Sequence, residues 1–330
     1  GVINMNNFKK IGLSALAGSL VAVSAHAAEF SVSGSASITM DRPVLDKYGE
    51  GAATGNDFSM GDSLTFNASG ETDGGIGVAV MYEIDGGALD DYDMTLSGDW
   101  GSLKFNGSGS SSALGAIDDV TPNAYEEACD IVDYDGTLTV GAPTIIGGGG
   151  GTNMFIYTSP SFSGATITAA YQNDGGAAAV ADSYSDFAIK FSPEMVEGLT
   201  LGYGAGQVPV AGTDLAKDNS TMYVKYAIGG FTVGYQVSES DHDTASSSLD
   251  STAYGITYAV NDDFSVGYSY HETEFDAAAS DNTDQESTGI SFSYTMGGMT
   301  LGGAMNDVDS MDGVATGDYE GYEFNLAFAF

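Results

Sequence analysis

Residues 254–270 read YGITYAVNDDFSVGYSY, and residues 289–301 read GISFSYTMGGMTL. In both stretches large apolar or aromatic side chains alternate with small or polar ones, on either side of a short Asn/Asp or Gly-Gly break. An alternation of period two predicts β-strands with one apolar face and one small, polar face, and the breaks predict tight turns. The same pattern recurs along the chain from Phe30 to Phe330 and predicts sixteen strands.

The connections between these strands alternate in length. Tight turns are predicted at every second connection, and the others are longer and acidic, near 41–60, 84–91, 107–152, 173–183, 207–218, 239–248, 273–286 and 306–318. Short turns at one end and long loops at the other are typical of an outer-membrane barrel. A soluble β-sandwich also alternates, but its second face would carry charge, whereas here that face is mostly Gly, Ala, Ser, Thr and Asn. The predicted fold is therefore all-β, a transmembrane antiparallel up-and-down barrel of sixteen strands.

The charge balance excludes several classes of partner. The 330 residues include 46 Asp and Glu against 8 Lys and Arg, which gives a formal net charge of −38. Nucleic-acid binding needs Lys and Arg contacts to phosphate, and binding to an anionic membrane surface needs a basic patch. The acidic excess of this chain argues against both kinds of partner. Cys129 is the only cysteine, so no internal disulfide can form.

The N-terminal residues have the pattern of a secretory signal. Lys9 and Lys10 precede the apolar run 11–22, and Ala25 and Ala27 supply an A-x-A cleavage site. The sequence predicts that residues 1–27, including four residues before Met5, are a cleaved signal peptide with N-terminal extra residues. Residues 28–330 would then form the barrel, exported to the outer membrane of a Gram-negative cell.

Two segments and the terminal Phe330 resemble the general bacterial porin family. These segments are LSGDWGSLKF at 96–105 and FIYTSPSFSG at 155–164. The resemblance implies a sixteen-stranded barrel, usually a homotrimer, through which small hydrophilic solutes and ions diffuse passively. It also implies surrounding outer-membrane lipid and lipopolysaccharide, a third loop folded into the pore, and recognition of Phe330 by the barrel-assembly machinery.

The candidate for that inward loop is the longest connection, about 108–151. It contains no Lys or Arg and seven carboxylates: Asp118, Asp119, Glu126, Glu127, Asp130, Asp133 and Asp135. Inside the lumen these groups would concentrate cations and repel anions, which predicts a cation-preferring porin. Outside the lumen they would simply be solvated. The resemblance favours the inward position.

Lys104, Lys190 and Lys225 are predicted to line the pore. Alternation places them on the small, polar face, because a charge directed into lipid costs about 2–4 kcal/mol near the bilayer midplane. Relatives in the resembled family carry an arginine cluster opposite the acidic loop, and this chain does not. The three lysines are either a reduced basic half of the constriction or isolated charges paired with nearby carboxylates.

Other candidate sites in the sequence are weaker. Asp307, Asp309 and Asp312 resemble part of a calcium loop with altered spacing and are candidates for weak divalent-cation sites. No cofactor is predicted to be required, and any Ca²⁺ or Mg²⁺ is expected to be held only loosely by the acidic loops. His242 and His271 lie in no recognisable nucleophile arrangement, so no enzyme is predicted. The remaining alternatives are a substrate-specific porin and a non-conducting adhesin or structural barrel.

Overall fold

The computed structural model describes residues 29–44, 57–129, 146–149, 151–173, 183–209, 216–242, 247–277, 283–315 and 317–330. Sixteen strands pair antiparallel with their neighbours in chain order, and β1 pairs with β16 to close the barrel. The predicted sixteen-stranded antiparallel barrel is confirmed. The predicted signal, residues 1–27, lies outside the described residues.

The strands carry the following bounds. They are β1 (Glu29–Val44), β2 (Asp57–Glu71), β3 (Gly77–Asp85), β4 (Ala88–Gly98), β5 (Gly101–Ser108), β6 (Met154–Thr158), β7 (Ala165–Gln172), β8 (Tyr184–Phe191), β9 (Leu199–Pro209), β10 (Ala216–Ile228), β11 (Phe231–His242), β12 (Ser247–Ala259), β13 (Phe264–Ala277), β14 (Gln285–Met296), β15 (Met299–Asp309) and β16 (Tyr319–Ala329). Two short 3₁₀ helices lie at Gly115–Ile117 and Met311–Gly313. In the described part of the chain, neither helix has the length or the apolar character needed to cross a membrane.

The wall of the barrel has two chemically distinct faces. Tyr254, Ile256 and Tyr258 of β12 are 41%, 41% and 38% exposed, whereas Ser251 and Ala253, at the alternate positions just before them in the same strand, are buried. We call the face of the exposed aromatic and aliphatic side chains the apolar face, and the other the polar face. A transmembrane barrel turns its apolar face to lipid, so the polar face encloses the lumen.

The strands extend further than the hydrophobic pattern predicts. β13 continues to Ala277, four residues beyond the predicted start of its loop, and β3 and β4 meet in a two-residue turn rather than the expected loop 84–91. That turn is Gly86-Gly87, with φ of 54° and 81°, which glycine adopts without strain. The alternation of apolar residues marks only the part of a strand that crosses the bilayer. The hydrogen-bonded pairing of the strands continues into water, so the strands are longer than the apolar pattern predicts.

Above the lipid-facing residues, β10 to β16 carry a continuous band of carboxylates toward their long-loop ends. We call this band the acidic rim; its outward-facing members include Asp218, Glu239, Asp250, Glu272, Glu286, Asp307 and Glu320. Several of them lie directly opposite one another on neighbouring strands: Glu239 pairs with Asp250, and Asp307 pairs with Glu320. Like charges in register repel, so the rim requires water or counter-ions around it.

Candidate pore constriction

Residues 112–129, which follow β5 within the longest connection, lie against the polar face of the wall. We call them the crossing segment. Residues of this segment contact or hydrogen-bond to β8, β9 and each of β11 to β16. The segment therefore follows about half of the wall rather than forming a loop at the rim.

The crossing segment begins at a buried carboxylate of β8. Asp186 accepts hydrogen bonds from the backbone N–H groups of Ala113 at 3.2 Å and Leu114 at 2.7 Å. The hydroxyl of Tyr184 also donates to Asp186, at 2.6 Å, and lies 3.1 Å from the hydroxyl of Ser112. A buried carboxylate surrounded by three donors is well satisfied, and such charge-assisted bonds are the stronger kind.

The returning end of the connection is held at the same place. The backbone N–H of Gly149 donates to the Tyr184 hydroxyl at 2.9 Å, and the side chain of Asn219 donates to the carbonyl of Gly147 at 2.7 Å. Tyr184 therefore joins both ends of the long connection to β8. Gly147, Gly148 and Gly149 form this close return to the wall.

A buried glutamine of β11 holds the middle of the crossing segment. The side-chain oxygen of Gln236 accepts from the backbone N–H of Val120 at 2.9 Å, and its nitrogen donates to the carbonyls of Ile117 at 2.9 Å and Asp118 at 2.6 Å. Buried backbone N–H and C=O groups need hydrogen-bond partners, and this stretch has no strand beside it to supply them. The amide side chain of Gln236 supplies these partners instead.

The far end of the crossing segment is bound to β14, β15 and β16. The N–H of Ala124 donates to Ser291 at 3.0 Å, and Asn306 donates to the carbonyl of Glu127 at 2.9 Å. The hydroxyl of Tyr125 donates to the carboxylate of Glu323, which is buried on β16. Burial, and then the hydrogen bond to Glu323, raise the pKa of Tyr125, so the phenol stays protonated and remains a donor.

A row of glycines makes room for the segment. We call it the glycine track; its members are Gly204, Gly234, Gly255, Gly267, Gly289 and Gly302. A Cβ added to Gly234 would lie 2.5 Å from Cδ of Pro122, and one added to Gly267 would lie 2.8 Å from the backbone nitrogen of Ala124. Glycine within a strand commonly marks the close approach of another backbone, and here that backbone is the crossing segment. Sequence reasoning missed these residues, although each interrupts a strand on its polar side.

The predicted acidic residues of the loop are only partly placed. Asp118, Asp119, Glu126 and Glu127 are half-buried in the crossing segment. Asp119 accepts from the N–H and hydroxyl of Thr121 at 2.8 and 2.7 Å, and Glu127 accepts from Asn123 at 3.1 Å, so these two also shape the segment's own turns. Asp130, Asp133 and Asp135 lie outside the described residues.

The three predicted basic residues lie on the polar face. Lys225 stands opposite Gly234 of the glycine track, and Lys190 stands opposite Gly202, whose polar side is covered by Tyr223. Lys104 forms an ion pair with Asp93 of β4 at 3.3 Å. Lys190 and Lys225 form no ion pair with a described residue. Thus one lysine is paired with a neighbouring carboxylate, and two are not.

Acidic side chains also occupy the wall that the crossing segment leaves uncovered. Glu83 lies between the outward-facing Tyr82 and Ile84, and Asp93 lies between Tyr92 and Met94, which places both carboxylates on the polar face of β3 and β4. Sequence reasoning missed them, although the strand alternation itself contains the signal. The lumen therefore has carboxylates on two sides.

The three aspartates considered for metal binding do not converge. Asp307 and Asp309 lie on β15, and Asp312 follows in the 3₁₀ turn, where its N–H donates to Gln285 at 3.0 Å. Among the described residues, no group of three or more His, Cys, Asp or Glu side chains is arranged to hold a metal ion. Loose binding of Ca²⁺ or Mg²⁺ by the acidic loops stays a prediction.

The closed barrel, its lipid-facing apolar face and the segment on its polar face define a channel-type outer-membrane protein. The sequence matches the Gram-negative porin family over residues 12–326, and the chain belongs to that family. No curated protein sequence matches the chain significantly.

Solved structures of porins share the fold. An anion-selective porin from Comamonas acidovorans is 15% identical with a TM-score of 0.66, covering 92% of this chain and 100% of its own. OmpT of Vibrio cholerae is 10% identical with a TM-score of 0.65, over 93% of this chain and 99% of its own. A mutant of the Rh. blastica porin is 15% identical with a TM-score of 0.62, over 92% and 100%. At these identities the likeness concerns the fold alone.

Proposed function

We propose that this outer-membrane porin is a passive channel for small hydrophilic solutes that prefers cations, and that the crossing segment forms its constriction. The contacts of the segment support this position. Its partners Asp186, Gln236, Ser291 and Glu323 all belong to the polar face, which encloses the lumen. A segment that follows the wall from β8 to β16 on that face narrows the lumen along half of its circumference.

The charges of the described polar face carry the proposed cation preference. The crossing segment contributes Asp118, Asp119, Glu126 and Glu127, and the uncovered wall contributes Glu83 and Asp93 instead of arginines. The described lysines of the same face, Lys104, Lys190, Lys217 and Lys225, are fewer than these six carboxylates, and Lys104 is compensated by Asp93. Carboxylates on both sides of a narrow, water-filled passage give it a negative potential, which favours cations.

Selectivity does not follow from the fold. The Comamonas acidovorans porin shares this architecture and is anion-selective. The preference of this chain therefore rests on its own side chains. The test is the reversal potential of the purified protein in a planar bilayer under a salt gradient.

The decisive variants separate the two acidic groups. Glu83→Gln with Asp93→Asn removes the wall charges, and Asp118→Asn with Glu126→Gln removes segment charges while sparing the turn-forming Asp119. Each pair is expected to move the reversal potential toward that of a non-selective pore. Glu239→Gln, which removes a carboxylate of the outward-facing acidic rim, is the matched control and should leave the potential unchanged. If the wild-type potential does not favour cations, the cation preference is wrong, and if all variants keep a cation-selective potential, these carboxylates are not its source. If the wild type does not conduct, an adhesin or structural barrel replaces the channel.

We propose further that the channel is a homotrimer in which the outer face around β1 and β2 contacts a neighbouring copy. These strands expose Ile38, Phe58 and Met60, at 56%, 65% and 71%, and Phe58 and Met60 are the most exposed large apolar side chains of the described strands. An exposed apolar surface of this kind is typical of an interface. Replacing Phe58 and Met60 by Asn is expected to yield monomers, which mass determination of the detergent-solubilised protein would detect.

A further inference from the structure

We propose that His271 of β13 makes the cation preference of the channel depend on pH, because its protonated imidazole offsets the negative charge of Asp119 on the crossing segment. The inference rests on the proposed cation-preferring channel and names a further residue that sets its selectivity. Three observations support this role: the burial of His271 beneath the segment, a ring nitrogen without a partner, and a nearby carboxylate.

The imidazole of His271 is buried on the polar face of β13. It is 3% exposed, and its Nε2 lies 2.8 Å from the hydroxyl oxygen of Ser251 on β12. Its Nδ1 is also buried and has no hydrogen-bond partner among the described residues. A neutral imidazole has one donor and one acceptor, whereas the protonated ring has two donors and a charge. The protonated ring therefore needs a second, negatively charged partner, because a buried charge is costly unless it is paired.

The crossing segment brings one carboxylate to this imidazole. Gln236 of β11 holds the residues on both sides of Asp119. The segment then passes Gly255 of β12, where an added Cβ would collide with its backbone. Ala253, two residues along β12, stands directly opposite His271. The carboxylate of Asp119 is close enough to interact electrostatically with the ring.

Among the described residues, the wall around His271 presents no second charge to the ring. β12 presents Ser251 and Ala253, and β14 presents Ser287 directly opposite His271. On β13 itself the ring lies between Ser269 and Thr273. The described carboxylates of these three strands point outward, at Asp250, Glu272, Glu274 and Glu286.

The other titratable groups of the crossing segment have different neighbours. Cys129 is buried beside Ala128, which lies against Gly289 of β14. The carboxylates of Asp118, Glu126 and Glu127 have Gly147, Tyr125 and Asn123 as their respective neighbours.

The ring lies at the level where protonation can act on the passage. His271 is adjacent to Glu272 of the acidic rim, so it lies beyond the lipid-facing part of β13. Burial lowers the pKa of His271, and the negative charge of Asp119 counteracts this effect. Acidification therefore places a positive charge beside one of the carboxylates that give the passage its negative potential. The channel loses part of its cation preference as His271 gains its proton.

The test is the reversal potential of the full protein in a planar bilayer, recorded from about pH 8 to about pH 4.5. This interval covers the ordinary histidine range and the lower values that burial produces. His271→Gln keeps a neutral polar side chain beside Ser251 at every pH. The wild type is expected to shift away from cations more steeply than His271→Gln on acidification. Protonation of the carboxylates contributes to both proteins, so the difference between them reports His271.

Two further variants complete the comparison. Asp119→Asn keeps an oxygen that can accept from Thr121 but removes the charge, and the excess shift should be lost in it, because the buried imidazole then stays neutral. His242→Gln is the matched control, since His242 is the other histidine of residues 28–330 and also lies on the polar face, opposite Lys217. It should keep the wild-type dependence on pH.

Equal dependence on pH in the wild type and His271→Gln, or an equal change in His242→Gln, would overturn the proposal. A wild type without cation preference at about pH 8 would instead contradict the proposed function, and the comparison of slopes would still decide the role of His271. NMR titration of the histidine side chains in the detergent-solubilised protein needs no conductance. Asp119→Asn should change the titration of His271 and leave that of His242 unaltered; an unchanged His271 titration would refute the coupling.

Discussion

Substitution of Gly234 by alanine tests whether the glycine track positions the crossing segment. The added Cβ would lie 2.5 Å from Cδ of Pro122, whereas carbon atoms in contact are about 3.5–4.0 Å apart. The segment must therefore move by about 1 Å away from β11 and into the passage. Overpacking of this kind costs about 1–3 kcal/mol, and alanine in place of a strand glycine returns about 0.5–1 kcal/mol.

The displacement also acts on the neighbouring glutamine. Gln236, two residues along β11, bonds Val120, Ile117 and Asp118 at 2.6 to 2.9 Å. A shift of about 1 Å would stretch these bonds beyond normal hydrogen-bond lengths. We therefore expect a lower and noisier single-channel conductance, with the barrel still formed.

Gly70→Ala is the matched control for this experiment. Gly70 also lies in a strand, β2, and a Cβ added there meets no other atom within 4 Å. Both variants should migrate as folded barrels in heat-modifiability gels, and only Gly234→Ala should change conductance in a planar bilayer. If the two variants conduct alike, the track does not position the segment and the reasoning fails.

Three further predictions concern the charges and the anchors. Tyr125→Phe leaves the buried carboxylate of Glu323 without its phenol donor, which should cost about 1–3 kcal/mol and lower the thermal unfolding midpoint; an unchanged midpoint would show that the bond contributes nothing. Lys104→Gln leaves Asp93 uncompensated, so the reversal potential should move further toward cations, whereas Asp93→Asn should move it the other way; shifts of equal sign would contradict the ion pair as the cause. The acidic rim should make the barrel more stable as ionic strength rises from about 0.01 to 0.15 M, because the Debye length falls from about 30 to 8 Å; Glu272→Gln, which relieves the repulsion opposite Glu286, should flatten that dependence in thermal unfolding curves.

The architecture could be predicted from the sequence because it depends on local periodicity. Alternation such as Ile290-Phe292-Tyr294 against Ser291-Ser293-Thr295 assigns each side chain to a face without knowledge of its neighbours, and tight turns force consecutive strands to pair. The same alternation places Lys104, Lys190 and Lys225 on the polar face. Strand ends were less predictable, because outside the bilayer the hydrogen-bonded ladder of β12 and β13 continues through polar residues that carry no hydrophobic signal.

The position of the crossing segment depends on contacts between distant residues, which only the tertiary structure decided. Nothing near Asp186, Gln236 or Glu323 in the sequence indicates that each holds a different part of residues 112–129, since their partners lie about 70 to 200 residues away. The role of the track glycines could not be predicted from the sequence either, because a glycine in a strand can mark a bulge, a bend or the close approach of another backbone. The sequence determined which residues face the lumen, and barrel closure determined which of them meet, because register and closure bring together positions that no local pattern relates.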